Sequence, residues 1–133
     1  MRRTRGGGFT LIELLVVVAI IGIVVTVAVG QYQKSIVKAK EAVLKQDLYE
    51  MRTAINRYFA DKGKYPASLE SLVEDGYLRK IPVDPFTESA DTWQTEAAPM
   101  EDGAEEEGGG SGVYDVHSGA PGTALDGSSY SEW

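Results

Sequence analysis

Cysteine is absent from the 133 residues, which excludes a disulfide framework, an iron–sulfur cluster, a thiolate zinc site and a cysteine nucleophile. One histidine leaves no His-rich metal centre within a single chain. Proline does not occur between residues 9 and 60, so no ring there interrupts a helix. Lys and Arg do not occur after Lys80, and residues 81–133 carry 12 acids. With a formal net charge of −7, the chain lacks the basic surface that neutralises nucleic-acid phosphates. Its length suits one ordinary domain.

What is present is sharply divided. Residues 1–8 (MRRTRGGG) form a short basic leader ending in three glycines. Residues 9–29 (FTLIELLVVVAIIGIVVTVAV) are 21 positions with a single charge, Glu13. At 1.5 Å per residue they are long enough to span a hydrocarbon core of about 30 Å. Their Val and Ile content suits a strand, but length and the need to pair backbone groups within one segment in lipid decide for helix. Gly22 and Gly30 are soft points, each costing about 1 kcal/mol relative to Ala. From Gln31 to Ala60 an amphipathic pattern takes over. Leu44, Leu48, Met51, Ile55 and Tyr58 step by four, three, four and three, and Ile36, Val37 and Val43 extend the stripe backwards. Glu41 stands four residues before Lys45, a favourable surface pair. A single rod of ~52 residues would be ~78 Å long, so its second half must stand in water and carry a globular head.

Gly63 is the expected C-cap of this helix, and Pro66 blocks its resumption. Residues 68–75 read as a short helix with Ser68 as N-cap, Leu69, Leu72 and Val73 as its buried side, and Gly76 closing it. Residues 81–85 (IPVDP) are extended, since each proline disfavours a helical residue before it. Residues 92–95 and 113–116 are the strand candidates. Between them residues 96–112, rich in Glu, Ala and Gly, read as a hairpin loop whose acid cluster at 101–107 is solvated. The Gly/Ser-rich end is expected to be pinned by Leu125, Tyr130 and Trp133. His117, without a second histidine, reads as structural. Asp115, His117 and Ser118 have the residue types of a catalytic triad but lie too close on one strand to converge. Gly6-Gly7-Gly8 lacks the downstream Lys and strand of a phosphate cradle.

Three ordinary readings compete for the apolar run. A signal peptide has a core of about 7–15 residues before a small-residue cleavage site; Ala28-Val29-Gly30 is a faint match, but this core is longer and holds a carboxylate. A buried core helix needs more protein around it than the remainder supplies. A plain anchor gains nothing from Glu13, since an acid at the centre of a spanning helix costs about 2.5–3.5 kcal/mol and usually has a partner. No Lys or Arg lies within the segment, so the partner is expected on another subunit.

Gly8-Phe9-Thr10-Leu11-Ile12-Glu13, with the basic leader before it and the apolar helix after it, resembles the cleavage and methylation signature of the type IV pilin-like family. The resemblance implies cleavage by a prepilin peptidase after Gly8, N-methylation of Phe9, and a requirement for Glu13 in filament assembly. Residues 63–66 (GKYP), 81–86 (IPVDPF), 91–93 (DTW) and 113–119 (VYDVHSG), then Leu125-Asp126-Gly127 and Trp133, look like the major pseudopilins of type II secretion systems within that family. Residues 1–95 and 113–133 carry this likeness; the acidic loop does not. Type IV pilins commonly close the C-terminal region with a disulfide, so zero cysteines favour the pseudopilin branch. Two departures stand out. Gly30 occupies a position usually held by proline, so a local melt on assembly is less strongly imposed. Many major pseudopilins bind one Ca²⁺ in the C-terminal loop through aspartates, a serine and carbonyls. Here that loop keeps Asp126, with Asp115 and Ser118 beside it and Glu132 to assist, but not the Asp-rich stretch. The alternative is a loop without an ion.

The resulting expectation is an α+β chain of type IV pilin-like fold. It has a long N-terminal helix, half transmembrane and half amphipathic, and a small C-terminal head with a short antiparallel sheet. Residues 1–8 are the cleaved leader, 9–30 the membrane and assembly helix, and 31–133 the periplasmic head, including the amphipathic helix 31–60. The resemblance implies a single-pass protein of the bacterial inner membrane with its N-terminus cytoplasmic. It would be a non-enzymatic subunit of a helical homo-oligomeric pseudopilus that drives export of folded proteins across the outer membrane. Implied partners are minor pseudopilins, the inner-membrane assembly platform and its ATPase, prepilin peptidase and membrane lipid, with no nucleic acid. A type IV or competence-type pilin, serving adhesion, motility or DNA uptake, is the alternative.

Overall fold

The computed structural model describes residues 8, 10–99 and 112–133. The leader positions 1–7, Phe9 and the acid cluster at 101–107 lie outside them. The element order is helix α1 (Leu11–Lys62), helix α2 (Leu69–Glu74), strand β1 (Gln94–Ala97), strand β2 (Val113–His117) and a 3₁₀ turn at Tyr130–Glu132. The chain divides into two units, Met1–Ile36 and Val37–Trp133.

In the first unit α1 starts where Thr10 caps it. The Thr10 hydroxyl accepts the Glu13 N–H at 3.2 Å, so Thr10 is the N-cap and Glu13 the third helical residue. Glu13 therefore sits in the first turn of α1. A negative charge there is favoured by roughly 0.3–1 kcal/mol through the helix dipole. The helix passes through Gly22 and Gly30 without a break, and the Thr26 hydroxyl donates to the Gly22 carbonyl at 2.9 Å.

The second unit owns a core. Leu44, Leu48, Met51, Ile55 and Tyr58, the expected stripe, are all buried, and Ala54 joins them. Val43 does not: it is exposed, because one residue before Leu44 is about 100° around the helix from it. Across from the stripe stand Leu69, Leu72, Trp93, Val113, Val116, Ala120, Ala124 and Tyr130. Gly63 takes φ +69° and its N–H returns to the Phe59 carbonyl at 2.8 Å, the C-terminal stop expected of it. Ser68 caps α2 by accepting the Ser71 N–H. Leu69 and Leu72 are buried in α2, while Val73 is only half-buried.

The sheet has two antiparallel strands. Gln94 pairs with His117, Thr95 with Val116, Glu96 with Asp115 and Ala97 with Val113, with a bulge at Glu96/Ala97. The first strand thus begins two residues later than the pattern suggests. Thr92 and Trp93 belong to the loop before it: the Thr92 and Thr87 hydroxyls meet at 2.6 Å, and the buried Trp93 indole donates to the Pro82 carbonyl at 2.8 Å. Gly119 fixes this start. A side chain there would collide with the Thr92 carbonyl, so only glycine lets the chain leaving β2 pass so close.

Candidate functional site

Two places hold the residues singled out above. The first is the opening of α1. Leu11, Ile12, Leu14, Leu15, Val16, Val17 and Val18 are all exposed, Leu11 by 74%. No residue from Leu11 to Gly30 is buried. Length and composition suffice for a membrane span. Glu13 is exposed among these side chains, and among the described residues no cation pairs with it. Gly8 is exposed; Phe9 is outside the described residues.

The second is the C-terminal loop, where the structure does not gather Asp115, Ser118 and Asp126 around a point. Asp115 Oδ1 accepts the Arg52 Nε–H at 2.7 Å and its own neighbour's Val116 N–H at 2.8 Å. Burial alone would raise the Asp115 carboxyl, but Arg52 and the Val116 N–H hold it below the usual carboxylate range. Ser118 is fully buried; its hydroxyl donates to Asp84 Oδ2 at 2.5 Å and accepts the Ala120 N–H. Asp126 turns back on its own loop, accepting the N–H and the hydroxyl of Ser128, which lower its carboxyl.

The loop is fastened instead by charged side chains of α1. Arg52 Nη2 donates to the Val116 carbonyl at 2.9 Å and to the Trp133 backbone oxygen at 2.6 Å. Glu41 Oε1 accepts the Leu125 N–H at 2.8 Å and the Tyr130 hydroxyl at 2.9 Å. Burial first, then Glu41, pushes the Tyr130 hydroxyl up to about 12. Lys45, expected to pair with Glu41, lies 4.6 Å from the centre of the Trp133 ring, a cation–π contact. Tyr130 stacks on Phe86 at 4.3 Å and meets Trp133 edge-on at 5.1 Å. Leu125, one of three expected pins, is 55% exposed; the buried Ala124 takes its place while the Leu125 backbone is what binds.

His117 fits the structural role expected of it. Nδ1 lies 2.8 Å from the Trp133 backbone oxygen; that oxygen can only accept, so Nδ1 carries the hydrogen. Nε2 faces Glu96 at 3.3 Å and Asp115 at 3.6 Å. Sequence reasoning missed Asp84, the one fully buried acid among the described residues. Its Oδ1 accepts the N–H groups of Phe86 and Thr87, an Asx-type turn that Asp84-Pro85 signals. Nothing local marked Arg52 or Glu41 as fasteners of the loop, because their partners there lie 63 to 89 residues away.

The prokaryotic N-terminal methylation motif matches residues 3–29. The type II secretion system core protein G of Pseudomonas aeruginosa is 38% identical over 102 residues, covering 65% of this chain and 72% of that protein. The protein of the same name from Escherichia coli K12 is 32% identical over 103 residues, with 65% and 71% covered. The type IV major pilin protein PilA of Myxococcus xanthus is 41% identical, but over 61 residues and 28% of its own length. No solved structure matches the chain significantly.

Proposed function

Because the chain belongs to the type II secretion system core protein G family, the major pseudopilins, we propose that it is the structural subunit of a periplasmic pseudopilus. Residues 1–8 are a leader that prepilin peptidase removes after Gly8, residues 9–30 the membrane and assembly helix, and residues 31–133 the periplasmic head. Subunits leave the inner membrane through an assembly platform and its ATPase, join minor pseudopilins and stack their apolar helices into a helical filament. Repeated head-to-tail contacts of this kind do not close, so the polymer grows and pushes folded proteins through the outer membrane. The chain contributes shape and contacts to this work, not catalysis.

The observation that carries the reading is Glu13: an exposed carboxylate in an exposed apolar helix, with which no cation among the described residues pairs. Cleavage after Gly8 leaves an ammonium on Phe9, and methylation preserves its charge. On a staggered neighbour that cation answers Glu13 inside a dry bundle. The helix dipole offsets only part of the cost of sinking the acid. The pair acts mainly as a register device, since removing either partner strands the other.

Intact-mass measurement of membrane-extracted protein tests the processing, with the expected chain starting at a methylated Phe9. A chain that keeps residues 1–8 in a host with prepilin peptidase counts against the reading. A deletion strain then separates the branches. Loss of exported proteins with surface fibres intact supports secretion. Loss of fibres with export intact supports the pilin reading, which the match to PilA favours over a shorter stretch.

A further inference from the structure

The side chains that a C-terminal-loop ion would need are each committed to another partner through at least one oxygen, save the exposed Glu132. Ca²⁺ takes 6–8 oxygen ligands. Of the four side chains expected to supply them, Ser118 is spent on buried Asp84 and on the Ala120 N–H, Asp126 binds Ser128 through Oδ1, and Glu132 is exposed. Asp115 is spent on a cation that belongs to the chain. The residues present therefore do not fit the ion. We propose that the Arg52 guanidinium does its work, so that the head holds its C-terminal segment without calcium.

The geometry of Arg52 is that of a small resident cation. Its Nε and Nη2 reach one carboxylate oxygen, Asp115 Oδ1, and two backbone oxygens, those of Val116 and Trp133, at 2.6 to 2.9 Å. Two of these acceptors come from β2 and the third from Trp133, so Arg52 ties the strand to the residue that follows the 3₁₀ turn. A planar fork with five fixed donors suits such a set, and a lysine ammonium does not. The pair is only partly open to water, with side-chain exposures of 35% for Arg52 and 28% for Asp115, so screening is incomplete. Glu41 and Lys45 act beside it. At 3.6 residues per turn, residues 41, 45 and 52 fall within about 40° of one another on α1. One helix face thus grips Leu125, Tyr130, Trp133 and β2 with side chains alone.

The test is thermal unfolding of the full chain in detergent, followed by tryptophan fluorescence. Both tryptophans, Trp93 and Trp133, report on this head. Millimolar calcium and a calcium chelator are expected to leave the wild-type midpoint where it is. An ion bound at about a hundredfold excess over its dissociation constant would raise it by roughly 10 °C, and that result overturns the proposal. R52Q is expected to melt roughly 10 °C below wild type in calcium and chelator alike; an R52Q midpoint equal to wild type also overturns it. If R52Q does not accumulate, the calcium response of the wild-type chain decides alone. A calcium-dependent head remains compatible with a pseudopilus subunit, so failure here leaves the filament reading standing.

Discussion

α1 carries two surfaces with opposite fates. Between Leu11 and Val29 its large apolar side chains stand open, with Ile12 at 73% and Ile23 at 67% exposure. From Leu44 to Tyr58 the same helix buries one stripe almost completely, with Leu44, Met51 and Ile55 at 0%. Both stretches follow helical sequence rules, yet among the described residues only the second is buried by its own chain. Among the described residues no second element is apolar enough to cover the first stretch, so its cover is expected from outside. This is the arrangement of a subunit that finishes folding before it finishes burying.

That contrast is broken most severely at Glu13. Glu13→Ala is expected to insert and be processed, yet to give roughly a hundredfold fewer subunits in filaments, since it strands the opposing ammonium at about 3–5 kcal/mol. Counting sheared or cross-linked filaments against membrane-bound protein checks this. Abundant normal filaments from Glu13→Ala would mean that the exposed stretch assembles by greasy contact alone. Next comes a matched pair in the two stretches. Leu48→Ala, at 2% exposure, is expected to cost about 2–5 kcal/mol of head stability. Leu15→Ala, at 61%, should leave the unfolding midpoint of the head in place and weaken only polymerisation. A midpoint that fell equally in both variants would erase the distinction between the stretches.

A smaller effect is expected at the cap. Thr10→Ala removes the hydroxyl that accepts the Glu13 N–H and should fray the first turn of α1 at a cost of about 1 kcal/mol. Hydrogen exchange confined to the first helical residues would report it, with the head unaffected. Exchange that spread along the helix would show that the first turn depends on the cap more than on what surrounds it.

The sequence made the apolar stretch and the buried stripe legible because both are periodic and local. Leu44, Leu48, Met51, Ile55 and Tyr58 announce their face by spacing, and Gly63, Ser68 and Gly76 mark ends by backbone chemistry. What stayed hidden is long-range. Arg52 looks like any cation on a solvated helix face until Asp115, Val116 and Trp133 arrive. Glu41 looks paired with Lys45 until Tyr130 and the Leu125 N–H claim it. β1 was misplaced by two residues because Trp93 alternates like a strand residue while its indole is committed to Pro82. Leu125 misled for the opposite reason: hydrophobicity suggested an anchor where the backbone does the binding.

The smallest expected effect refines the buried half of the comparison. Asp47, on α1 between the buried Leu44 and Leu48, has its carboxyl pushed up from 3.8 to about 6, first by burial and then by the charges of Glu50 and Asp84. Its folded value lies above its unfolded one, so between those two pH values the folded state holds more protons than the unfolded state. The contribution of Asp47 to stability is therefore lost as pH rises from about 4 to about 6 and stays lost above that. Asp47→Asn removes the charge and should melt higher than wild type at neutral pH, by about 3 °C because water screens much of the effect. Below pH 4 the two should melt together. A constant difference across the whole range would assign the effect to packing, and would mean that the border of the buried stripe of α1 feels no half-buried charge, where burial of the Asp47 carboxylate and then the charges of Glu50 and Asp84 are now held responsible.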